Sequence, residues 1–89
     1  MNRDQEWGEA KQSLPFGTLV QGTVLKVFPF GMFVHVSEFS SVKFVIDAVS
    51  YRPNGMVFDP AQWPAIGSSI EGVVVDHVEH NREIKLSVG

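Results

Sequence analysis

Two phenylalanines three positions apart, Phe30 and Phe33, stand either side of Gly31 in the run Phe30-Gly31-Met32-Phe33-Val34. Rings of this kind carry no acid or base, so their chemistry is contact: flat apolar faces on which a nucleobase can stack. A glycine between them, inside strand-like sequence, lets the backbone bend while the rings stay close. His35 lies two positions beyond Phe33, on the same side of an extended chain. An imidazole can stack on a base or hydrogen-bond its edge. Lys43 and Lys85 project outward by alternation and Arg82 falls in a turn, so each can meet a phosphate oxygen as a cation. Plainer readings accompany each. Phe33 can be covered by the N-terminal segment or a second subunit, His35 can be a solvated strand residue, and isolated surface cations usually serve solubility.

Other chemistries find little support. His77 and His80 flank a carboxylate, Glu79, but sit on a strand end and a turn without a third clustered ligand or any cysteine, so no metal centre is expected. There is no Ser-His-Asp order, no phosphate-cradling glycine loop and no carboxylate pair placed in a cleft. Asp76, Glu79 and Glu83 read as a solvated acidic edge. The chain reads as a binding module that needs no cofactor and catalyses nothing.

The elements that must position these residues fit in one domain. The chain has 89 residues, 44% hydrophobic and 19% charged, an ordinary globular balance that argues against disorder. Without cysteine, a disulfide framework is excluded and a cytoplasmic setting is expected. No apolar run approaches the roughly 20 residues of a membrane helix. The N-terminus is polar and acidic, unlike a secretory signal, and Met1 points to a free-standing protein. Net charge is −3, with seven Lys and Arg scattered at 3, 11, 26, 43, 52, 82 and 85. Phosphate contacts dominate nucleic-acid affinity, so this balance predicts weak binding through few contacts, or a surface completed by a partner.

Residues 1–15 form a tail or a short helix, with Trp7, Ala10 and Leu14 at helical spacing for docking on the domain at 16–89. Five strands follow: Thr18–Phe28, with Gly22 as a bulge or tight bend, Met32–Val36, Val42–Val49, Ser69–Val78 and Glu83–Val88. Met32, Val34, Val36, Val42, Phe44, Ile46, Ile84, Leu86 and Val88 share the inner face. Phe28 and Phe39 fall partly in the core, with no role in the site. The long connection 50–68 holds a helical turn capped by Asp59 and started by Pro60. Its apolar groups, Tyr51 to Trp63, make either a lid over the barrel end or a protein-contact surface. Five short strands with a long third connection define an all-β, five-stranded antiparallel OB-type barrel, with a short helical turn between the third and fourth strands. An SH3-like barrel is the nearest competitor.

Here the sequence resembles the S1 RNA-binding domain. The family's Gly-x-Val-x-x-Gly-x-Val pattern is met by Gly17-Thr18-Leu19-Val20-Gln21-Gly22-Thr23-Val24, and its Phe-Gly-Ala-Phe-Val by Phe30-Gly31-Met32-Phe33-Val34. Its closing segment is matched by Gly67-Ser68-Ser69-Ile70, Val74 and Glu83-Ile84-Lys85-Leu86-Ser87, so the likeness spans about residues 17 to 88. Two departures stand out. Val45 occupies the place of the family's RNA-contacting histidine, and Glu83 that of its arginine, with Arg82 one position earlier. The resemblance implies an OB-fold that stacks single-stranded RNA on Phe30 and Phe33, with His35, Lys43, Lys85 and Arg82 beside them. The alternative is a protein-interaction module on the same fold, docking a partner or a second copy through the Tyr51–Trp63 loop, with RNA binding weakened or lost.

Overall fold

Alternating apolar residues give this chain a barrel with one dry side. In the computed structural model, residues 2–53 and 63–89 are described. The strands are β1 (Leu19–Phe28), β2 (Gly31–His35), β3 (Lys43–Tyr51), β4 (Ser69–Val78) and β5 (Glu83–Val88), preceded by helix α1 (Arg3–Ser13). They close in the order β1-β2-β3-β5-β4. The inner face is Val24, Met32, Phe44, Ile46, Val74, Ile84 and Leu86, all fully buried, as period-2 alternation requires. The expected turn at Asp59-Pro60 lies outside the described residues.

Four pairings are antiparallel, but β3 pairs with β5 in parallel. This refines the antiparallel expectation, and parity explains it. Around a closed ring, each antiparallel neighbour reverses direction, and five reversals cannot return to the starting direction. At least one pair must therefore run parallel. β1 serves two partners, pairing with β4 through Leu19–Thr23 and with β2 from Thr23 to Phe28.

The bulge in β1 falls at Leu25, where the β1–β2 register shifts between Val24 and Lys26, and not at Gly22, which pairs regularly with Ile70. Gly22 answers a different need. A Cβ there would lie 2.6 Å from both the His35 carbonyl oxygen and Val34 Cγ1. Glycine thus permits the close approach of β1 and β2. Gly31 is similarly tight against backbone, with a Cβ position 2.7 Å from the Ile46 carbonyl oxygen.

The N-terminal segment is a helix. Asn2 Oδ1 accepts the Gln5 N–H at 2.8 Å and Gln5 Oε1 accepts the Asn2 N–H at 3.1 Å, a reciprocal capping box. Trp7 and Ala10 are buried in the same core as the barrel residues, with Leu14 packed beside them. Polar contacts hold this docking. Glu79, in the 3₁₀ turn Glu79–Asn81, accepts Trp7 Nε1–H at 2.8 Å and Lys11 Nζ at 2.6 Å. The Lys11 hydrogen bond, then that from Trp7, holds the Glu79 carboxyl below its ordinary range. Glu6 Oε1 accepts the Ser41 N–H at 3.1 Å, and Ser41 lowers the Glu6 carboxyl in the same way. His77 Nε2 lies 2.8 Å from the Leu14 carbonyl oxygen. No helix among the described residues is long and apolar enough to cross a membrane.

Candidate nucleic-acid interface

The outer surface of β1, β2, β3 and β5 can be read from the register, because directly paired residues place their side chains on the same face. One row runs Lys26, Phe33, Val45, Lys85. On one side of it lie Phe28, Gly31 and Asp47, and on the other Thr23 paired with His35, and Lys43 paired with Glu83. Aromatic groups therefore gather toward β1 and β2, and charged groups toward β3 and β5.

Phe30 stands in the two-residue turn with Pro29 that joins β1 to β2, and 64% of it is exposed. It stacks on Phe28 with centroids 5.1 Å apart and planes 9° from parallel. Phe28 meets Phe33 edge-on at 5.3 Å and 68°. The three rings form one cluster, with Phe30 outermost and Phe28 behind it. Lys43 Nζ lies 5.7 Å from the centre of the Phe33 ring, within cation–π range. Phe33, His35 and Lys43 line a groove of about 230 Å³ together with Leu25, Ser40 and Ser41. His35 also borders a second, polar groove shared with Gln21, Thr23, Ser37, Glu38 and Ser69.

The sequence-predicted residues thus divide. Phe33, His35 and Lys43 come together in one groove, and Phe30 joins Phe33 through Phe28. Lys85 lies in the Phe33 row, but its ammonium is held 3.0 and 3.2 Å from the two oxygens of Asp47 and 3.8 Å from Glu83. Arg82 turns toward α1, where its guanidinium pairs with Asp4. Its backbone is left-handed, with φ of 50° at the end of the 3₁₀ turn. Val45, at the position of the family histidine, is 5% exposed and offers no hydrogen bond.

Two residues escaped the sequence reading. Phe28, there placed partly in the core, is half-buried on the outer face and backs Phe30. The signal was present: a two-residue turn after Phe28 forces its ring into the neighbourhood of Phe30 and Phe33. Lys26 pairs with Phe33 because the Leu25 bulge shifts the register, and simple alternation cannot reveal that. Among the described residues, ion pairs occupy Lys11, Arg82 and Lys85 but neither Lys26 nor Lys43. Lys43 on β3 thus lies over the Phe33 ring, and Lys26 on β1 is the cross-strand partner of Phe33. Of the long apolar loop, the ends are described: Tyr51 and Trp63 pack on the core with their rings 5.2 Å apart. Residues 54–62 lie outside the described residues.

No protein-family model and no curated protein sequence matches the chain. Solved structures do. GSP13 from Bacillus subtilis superimposes with a TM-score of 0.68 at 21% identity, over 84% of this chain and 55% of that one. The a/eIF2alpha–aDim2p–rRNA complex from Pyrococcus horikoshii gives 0.68 at 18% identity, over 82% and 43%. RNase R of Mycoplasma genitalium, solved with ribose-methylated single-stranded RNA, gives 0.71 at 13% identity, over 99% and 15%. The present chain thus spans about half or less of each of these three. At such identities the likeness is one of fold, and the five-stranded OB-type barrel implied by the S1 resemblance is the fold observed.

Proposed function

We propose that this protein is an RNA-binding module, not an enzyme, that stacks single-stranded RNA on the Phe28–Phe30–Phe33 cluster. The observation that carries the reading is the cluster itself. Three rings, with Phe28 in contact with both Phe30 and Phe33, lie on an outer barrel wall, with Lys26 and Lys43 beside Phe33 and outside any ion pair among the described residues. Phe30 and Phe33 supply ring faces for bases, His35 borders the groove as a hydrogen-bonding group, and the two lysines meet phosphate. Support comes from the shared fold, seen in proteins solved with rRNA and with single-stranded RNA.

The same geometry sets the strength. Two phosphate contacts on a single strand give log K against log salt a slope of about −1.4, from −0.7 per contact. Binding is therefore weak and modestly salt-dependent, with little sequence preference, because every base has a face to stack. Titration of a labelled single-stranded oligonucleotide at low and moderate salt tests this. Binding that weakens with salt and falls on Phe33→Ala supports the reading. No binding at low salt, or binding indifferent to Phe33→Ala and Lys43→Ala, overturns it.

A second reading, self-association, has its own observation. Leu19 and Val73 pair across β1 and β4 and are exposed, and Val75 and Phe16 are exposed as well. Light scattering decides this one, since a concentration-independent monomer excludes it.

A further inference from the structure

We infer that Asp47 limits RNA affinity by holding the Lys85 ammonium out of reach of phosphate. The inference rests on the RNA reading above and concerns the same face. Lys85 belongs to the row that starts at Lys26 and Phe33, two strands beyond Phe33. At a strand spacing of about 4.8 Å this puts it roughly 10 Å away, within reach of the next nucleotide of a stacked strand. By position it is the natural third cation of the interface.

Its partners remove it from that role. Both oxygens of Asp47 lie within 3.2 Å of Nζ, and Glu83 adds a second carboxylate at 3.8 Å. Two carboxylates around one ammonium leave the locality net negative, so an approaching phosphate meets repulsion before it meets Lys85. The group is also partly dry. Side-chain exposure is 28% for Lys85, 38% for Asp47 and 11% for Glu83, so salt screens it less than a surface pair. Asp47 sits directly beside Gly31, which has no side chain to separate the carboxylate from the aromatic cluster. Lys43 is the contrast: it lies over an aromatic ring and is in no ion pair among the described residues.

Asp47→Asn keeps the side-chain volume and removes the charge. Lys85 then keeps Glu83 at the looser 3.8 Å and Asp76 as its cross-strand neighbour on β4, neither of which grips it as Asp47 does, and it can extend toward phosphate. Affinity for a single-stranded oligonucleotide at low salt is expected to rise roughly threefold to fivefold, the scale of a single exposed ion pair. The salt slope should steepen by about 0.7, the signature of one added phosphate contact. The double variant Asp47→Asn/Lys85→Met should return to the shallower slope. Thermal unfolding checks that Asp47→Asn remains folded, and Asp47→Ser supplies a second route to the same release. An unchanged slope in both single variants overturns the inference, as does a double variant that keeps the steeper slope. If the unsubstituted protein shows no binding sensitive to Phe33→Ala, the RNA reading itself fails. That result is obtained without touching Asp47, so the two failures are distinguishable.

Discussion

At the scale of single residues, ring contact and charge pairing decide what each side chain is free to do. Phe33 is half-buried, in contact with Phe28 and overlain by Lys43. Removing it takes away a stacking face and the ring beside the cation together. Base–aromatic stacking contributes about 1–3 kcal/mol per base, so Phe33→Ala should weaken single-stranded RNA binding by roughly 5-fold to 150-fold in an anisotropy titration. Phe28→Ala should also weaken it, although Phe28 is less exposed than Phe30, because Phe30 loses the ring it lies on. Lys26→Ala and Lys43→Ala test the charge side of the site. Each should make the salt slope shallower by about 0.7 while leaving the stacking contribution in place. Lys26 is the sharper case, since only the bulge at Leu25 brings it opposite Phe33.

At the scale of elements, the barrel wall depends on strands that approach more closely than side chains normally allow. A methyl group at Gly31 would meet the Ile46 carbonyl oxygen at 2.7 Å and Asp47 Cα at 3.3 Å, both backbone atoms that cannot swing aside. Gly31→Ala should therefore separate β2 from β3 and cost about 1–3 kcal/mol. A fall in unfolding temperature checks it, and Gly22→Ala should behave alike. Helix α1 carries a different dependence. In the folded protein the Glu79 carboxyl is held below its ordinary value of 4.5, first by Lys11 and then by Trp7. A lowered carboxyl stabilises the folded state above its ordinary range and loses that contribution as pH falls through the folded value. Docking of α1 should thus loosen on acidification below about pH 4.5, followed through the Trp7 indole N–H resonance. Glu79→Gln should shrink this acid step and leave the share carried by Glu6 and Ser41.

At the scale of the whole molecule, a small closed barrel and one helix share a single core, so central residues answer for the entire fold. Phe44 is among the fully buried side chains at its centre. Phe44→Ala should cost about 3–5 kcal/mol, a large part of the roughly 5–15 kcal/mol that holds a domain together, and urea unfolding should show a much lower midpoint. The inner face was legible from the chain alone because alternation is local: Met32, Val34, Phe44, Ile46, Ile84 and Leu86 announce themselves by period. The barrel class was legible too, from five strands, a long third connection and the Phe30–Val34 run. Parity even requires one parallel pair, though the chain does not say which. Only tertiary structure decided that β3 meets β5, and from that one pairing comes the neighbourhood of Lys85, Asp47, Val45 and Phe33. Whether a cation is available to phosphate depends on which carboxylate reaches it across strands, and such contacts have no signature in local sequence. The same holds for Arg82, drawn to Asp4 from 78 positions earlier. In the proposed reading, the Phe30–Val34 run is where a base stacks, and the folded charge pattern sets how many phosphates follow it.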